Sequence, residues 1–197
     1  MSFQNTVPAR EHARALASAL HTLAAVLLGL GLAVRAYASP DKEGVSAEYP
    51  AVSPTLKEVA FAADFDGRRR IWVASMDGSH LRKVASTSTA SSGTIESQPA
   101  WSPDARYIAY VSWVGMTSDI WVMQADGAYP VRLTSNGAVN TQPAWSPDGR
   151  RIVFVSDRDG TKDIWLMNAD GSRQTKLLAL DSQENSPQFS PAGDQLV

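Results

Sequence analysis

The stretch QPAWSPDARYIAYVS at 98–112 returns as QPAWSPDGRRIVFVS at 142–156 and begins a third time as SPQFSPAGDQLV at 186–197. The copies share one register. Trp101, Trp145 and Phe189 lie 44 residues apart, as do Trp121 and Trp165, and Asp126 and Asp170. The chain is a tandem repeat, and the length of its period decides what can be built from it.

A period of about 40 to 45 residues is that of a four-stranded propeller blade, whereas two-helix repeats need long stretches of 3.6-residue periodicity. No such stretch occurs after Ser39. The reading is therefore an all-β chain, a β-propeller of four-stranded antiparallel blades. The repeated region, 51–197, holds about 3.3 blades, with expected bounds 51–97, 98–141, 142–185 and a partial 186–197. Closed propellers have about four to eight blades, and the last copy stops where earlier copies continue through a strand. The expectation is the N-terminal part of a six- to eight-bladed ring. An open last blade presents unpaired strand groups, which predicts self-association through that edge.

Within the copy that starts at Gln142, PAWS is a short strand and Ser146-Pro147-Asp148-Gly149 carries Pro and Gly where a tight turn prefers them. RRIVFVS at 150–156 is the second strand, DIWLMN at 163–168 the third, and Ala169-Asp170-Gly171-Ser172 turns into a fourth, RQTKLL. The second and third strands are almost continuously apolar although short turns make them antiparallel. Both of their faces must then be covered, as in stacked blades. Trp101 and Trp145 share one repeat position, and Trp72, Trp121 and Trp165 another, so packing explains them. Trp113 alone falls outside the pattern, is read as a loop residue, and is the tryptophan expected to meet a partner.

An earlier, degraded copy lies at 53–84, with SPTLKEVAFAAD ahead of Arg70-Ile71-Trp72-Val73. Its spacing to the next copy is 49 because the segment ASTSTASSGTIES at 85–97 is five residues longer than its equivalents. Insertions in repeat proteins map to loops on one face, often the binding face.

Ahead of the repeat, Arg10, His12 and Arg14 precede an apolar stretch densest at 23–34, followed by Ala36-Tyr37-Ala38. A basic start, an apolar core and a small-residue Ala-x-Ala site read as a secretory signal at 1–38, cleaved after Ala38, and hence a periplasmic or secreted chain without a membrane span after cleavage. The alternative is an uncleaved N-terminal membrane anchor over 15–34. Residues 39–50, polar and charged, read as a linker.

The chain has no cysteine, which excludes disulfides, thiol nucleophiles and lipidation at a Cys. Without the signal it keeps 15 basic and 19 acidic residues and has no basic stripe, so nucleic acid is not an expected partner. Of three histidines, two leave with the signal and His80 sits in a hairpin turn. No G-x-S-x-G elbow and no His/Cys metal spacing occur, so no catalytic residue, cofactor or metal is expected. Asp64-Phe65-Asp66-Gly67 and Asp157-Arg158-Asp159-Gly160 resemble calcium-loop fragments but lack the later oxygen ligands and the closing Glu. A turn role is the preferred reading, with calcium as the alternative. The equivalent loop of the middle blade, Ser112 through Ser118, has no carboxylate.

PAWSPDG(R)RI(V/A)(F/Y)VS, then DIW(L/V)M, then ADGS or ADGA, with Arg132-Leu133-Thr134, resembles the repeat of TolB-like propellers, over 51–197. The motif belongs to a superfamily that includes TolB, stand-alone surface propellers and the propeller halves of prolyl-oligopeptidase and dipeptidyl-peptidase-like serine peptidases. The resemblance implies that the PAWS strand lines the central channel and the strand ending in Arg-Leu-Thr is outermost. One rim would then carry the blade-crossing loops and the loops before the Ile-Trp strands. Glu96, Asn140 and Glu184, five before Trp101, Trp145 and Phe189, would ring the channel mouth, or else hydrogen-bond the loop backbone. With Trp113, Asp157 and Asp159 they are the candidate partner-binding residues. The resemblance implies a non-catalytic exported scaffold that binds a protein, peptide or envelope partner, as in the Tol-Pal system. The alternative is the propeller portion of a serine peptidase whose catalytic domain lies beyond Val197.

Overall fold

The computed structural model describes residues 47–65, 67–77, 79–84, 93–178 and 186–197. They form three four-stranded antiparallel sheets. The first blade is β1 (Ala47–Val52), β2 (Glu58–Ala63), β3 (Arg70–Ser75) and β4 (Arg82–Lys83). The second is β5 (Ile95–Trp101), β6 (Tyr107–Val114), β7 (Thr117–Gln124) and β8 (Val131–Arg132). The third is β9 (Asn140–Trp145), β10 (Arg151–Ser156), β11 (Asp163–Asn168) and β12 (Thr175–Leu178). A bridge between Phe189 and Leu196 opens the fourth copy. Strand order within each blade follows the chain, and the first strands of the blades meet, β1 with β5 and β5 with β9.

The continuous apolar runs are explained by blade stacking. Ile108 and Tyr110 of β6 pack toward the first blade with Ala60, Ala62, Ile71 and Val73. Ala109 and Val111, between them in sequence, pack toward the third with Ile152, Phe154 and Met167. Alternate residues of a strand point to opposite faces, so a strand with a blade on each side must be apolar at every step.

The Ser-Pro-Asp turns are held by their own side chains. Ser102 Oγ accepts the Tyr107 N–H at 2.9 Å and donates to Asp104 Oδ1 at 2.6 Å, and Asp104 in turn accepts the Arg106 N–H at 3.1 Å. Ser146 and Asp148 repeat the arrangement. The Asp-Gly hairpins are capped similarly, Asp77 and Asp170 holding the N–H and hydroxyl of Ser79 and Ser172.

Two expectations are corrected. The first strand begins at Ala47, inside the stretch read as linker, because Ala47 and Glu48 pair with Ala63 and Ala62 while Glu48 binds Arg69 at 2.9 Å. Trp113 is on β6, not in a loop. The two-residue turn Gly115-Met116 has Gly115 at φ +61, the left-handed residue such hairpins favour at their first position, so β6 and β7 run on for eight residues each.

Candidate partner-binding rim

The rim holds the β2–β3, β6–β7 and β10–β11 connections and the segments that cross between blades. Glu184 lies outside the described residues, as do 85–92 of the expanded loop and Asp66 of the first Asp-rich loop.

Glu96 is the second residue of β5 and Asn140 the first of β9, and both are fully buried. Glu96 Oε2 accepts the Ile71 N–H of the previous blade at 3.4 Å, and its own N–H donates to Arg69 O at 3.1 Å. Beside it Arg70, also buried, donates to the Thr94 carbonyl. Burial above all, and then the Glu96 carboxylate, pushes the Tyr110 phenol far above its ordinary value, with Arg70 opposing. Asn140 does the equivalent work one seam on. Its amide donates to Ser118 O at 2.9 Å and to Asn136 Oδ1 at 2.8 Å, while Ser118 Oγ donates back to Asn140 O at 2.9 Å. Neither side chain offers surface to a partner in this arrangement; both tie neighbouring blades together.

Asp157 and Asp159 are likewise engaged. Asp157 Oδ1 accepts the Val139 N–H at 2.7 Å, fastening the blade-crossing segment to the β10–β11 loop. Asp159 meets Lys176 at 3.0 Å, and the same ammonium meets buried Asp163 at 2.8 Å. That contact, foremost, holds the Asp163 carboxyl below its ordinary value. Arg132 and Asp119 make the equivalent ion pair in the second blade.

Arg158, between those two aspartates, was not singled out from sequence. Its guanidinium lies 4.2 Å from the Trp165 ring centroid and donates to Ser156 Oγ, Gln174 Oε1 and Asn140 Oδ1 at 2.9, 2.8 and 3.1 Å. Burial lowers its pKa. The only signal for it was its place in a loop that reads as a turn.

Trp113, opposite Ile95 on β5 and Ser118 on β7, is half-buried against the core shared by the second and third blades. Beside it Ile95 of β5 is 47% exposed, and at the hairpin tip Val114 is 57% and Met116 88% exposed. In sequence this was visible as the one loop of its set without a carboxylate.

No catalytic arrangement forms around His80. Ser79 Oγ contacts His80 Nδ1 at 2.8 Å, but the Asp77 carboxylate holds the serine at 2.7 Å and does not orient the imidazole. The third blade makes the same Asp170–Ser172 bond with Arg173 in place of the histidine, which identifies it as a turn device. Among the described residues no three His, Cys, Asp or Glu side chains gather in a metal-holding group, and no helix is long and apolar enough to cross a membrane.

A protein assigned as TolB from Agrobacterium tumefaciens is 29% identical, with a TM-score of 0.65 over 74% of this chain and 50% of its own. TolB from Acinetobacter baumannii is 20% identical, with a TM-score of 0.65 over 78% and 37%. A puromycin-hydrolyzing peptidase of Mycobacterium tuberculosis is 18% identical, with a TM-score of 0.59 over 77% and 24%, a likeness of fold alone. The chain thus spans half or less of the length of these relatives. No curated protein matches it in a sequence search. The family described as the TolB beta propeller domain matches residues 50–197, and the chain belongs to that family.

Proposed function

We propose that this chain is an exported, non-catalytic binding propeller that docks a protein partner on its rim, through the outcrop of Ile95, Trp113, Val114 and Met116. The observation that supports this is the exposure of Val114 and Met116 at the tip of the β6–β7 hairpin, with exposed Ile95 of β5 and half-buried Trp113 beside it, where the third blade has an Asp-rich loop. Clustered apolar exposure at a loop tip marks interaction surfaces. Beneath the tip, Ser118, Asn140, Asp157 and Arg158 bind the loops to one another, so little ordering cost is left for association. Export rests on the signal read at 1–38, and an envelope role of the Tol-Pal kind rests on family membership.

The test is site-specific photo-crosslinking in cells expressing the full coding frame, with the reactive residue at Met116 and, as a control on the opposite face, at Arg173. A discrete adduct in the periplasmic or secreted fraction from Met116, absent from Arg173 and lost when Val114 and Ile95 become Ser, is expected. Equal labelling at both positions, or none at Met116, would overturn the reading.

A further inference from the structure

The seam between the first and second blades and the seam between the second and third are built from the same repeat positions, yet they are filled differently. At the first seam Arg82 of β4 crosses the blade boundary. Its guanidinium donates to Glu58 Oε1 at 2.7 Å and to the Ala125 carbonyl of the next blade at 3.4 Å. One repeat on, Glu58 becomes Tyr107, Ala125 becomes Ala169 and Arg82 becomes Val131. No guanidinium arrives from Val131, which is 55% exposed. What lies there is an open cleft of about 390 Å³, whose lining includes Asp104, Tyr107, Trp145, Asp148, Ala169 and Asp170.

We propose that this cleft receives the arginine side chain of a polypeptide partner, in the place that Arg82 occupies one seam earlier. The exchange of Glu58 for Tyr107 removes a carboxylate, but Asp104 stands where the first seam has Thr55, so the cleft keeps a carboxylate wall. Hydrogen bonds from their turns, led by the serine hydroxyls, hold Asp104, Asp148 and Asp170 below the ordinary carboxylate range, so they are charged at neutral pH. A planar guanidinium pairs with carboxylates and stacks on aromatic faces, a combination an ammonium matches poorly. Arg106 already lies 5.9 Å from the Tyr107 ring centroid, and resident arginines act on the carboxylates from outside the cleft lining, Arg106 on Asp104, Arg150 and Arg151 on Asp148, and Arg173 on Asp170. An incoming guanidinium therefore shares those charges and adds the Trp145 face and the Ala169 carbonyl. The cleft lies on the turn face, at the opposite end of the strands from the rim, and does not depend on the rim reading.

The test is titration of the full chain with acetyl-Gly-Arg-Gly-amide, its citrulline counterpart and free arginine, following the Trp145 indole N–H by NMR. The arginine peptide is expected to shift that resonance saturably and to bind at least tenfold more tightly than the citrulline peptide or free arginine. Tyr107→Glu with Val131→Arg rebuilds the first seam's occupant and should weaken binding at least tenfold with the melting temperature retained. Val131→Arg alone, a change at an exposed position, should weaken it in the same direction. Equal binding of arginine and citrulline peptides, free arginine binding as tightly as the peptide, no shift at Trp145, or undiminished binding by both variants would overturn the proposal.

Discussion

Gln98 and Gln142 are joined across one repeat: Oε1 of Gln98 accepts the backbone N–H of Gln142 at 2.8 Å, and Oε1 of Gln142 accepts that of Ser186 at 2.6 Å. These positions share a backbone peculiarity. Tyr49, Gln98, Gln142 and Ser186 all have φ between 51 and 56°, all precede a proline, and the register shifts beside each of the first three. At Gln142 and Ser186 the N–H turned out of the ladder is accepted by the glutamine one repeat earlier.

Replacing Gln98 by Ala leaves that N–H without its acceptor and should cost about 1 to 2 kcal/mol in a urea melt. Gln98→Glu keeps an acceptor at the same reach and should cost clearly less. Equal losses for the two would show that the link across the repeat contributes nothing.

The buried Trp101 donates its indole N–H to Ala51 O of the first blade at 3.0 Å, and Trp145 does the same to Ala100 O at 3.1 Å. Trp101→Ala should cost about 3 to 5 kcal/mol, the usual range for truncating a large aromatic. Trp101→Phe keeps most of the packing and orphans one carbonyl, so about 1 to 2 kcal/mol is expected. Chemical denaturation of both variants checks the division.

Gly127 admits no side chain. A Cβ there would sit 1.9 Å from the Val84 carbonyl oxygen of the first blade, and φ is already +91. Gly127→Ala should destabilise by about 2 to 4 kcal/mol through overpacking and strain together. Gly137, at φ +74 with nothing within 4 Å, supplies the control, since alanine there meets strain alone and should cost about 1 kcal/mol. Thermal melts of the pair should separate them.

Asp104 and Asp148 owe their lowered pKa first to the hydroxyls of Ser102 and Ser146. A carboxyl that titrates lower folded than unfolded contributes stability that is complete above the unfolded value, 3.8, and is lost as pH falls through the folded one. Their contribution is therefore flat from pH 8 to about 5 and declines below about 4. In the double variant Asp104→Asn, Asp148→Asn the acid limb of melting temperature against pH should be shallower than in the parent. An identical acid limb would contradict this assignment.

The strands, the turns and the packing role of the tryptophans were legible because each occurs at several equivalent positions, and a packing constraint repeated along the chain writes itself repeatedly. The rim was less legible. Asn140, Asp157 and Asp159 were picked out as polar loop residues, but that their groups are spent on Ser118, Val139 and Lys176 depends on contacts to other strands or blade-crossing segments. Trp113 looked like a loop residue because the strand lengths of the other blades were carried over to the second, where Gly115 permits a tighter turn.

Period, binary pattern and turn chemistry are local, and they determined that this chain forms four-stranded blades with covered faces. What only the tertiary structure decided lies at the seams. Arg82 and Val131 occupy the same repeat position, and nothing in either residue's neighbourhood in sequence says that one fills a cleft and the other leaves it open. That difference arises because each seam is shaped by side chains more than 40 residues apart, brought together only when blades stack.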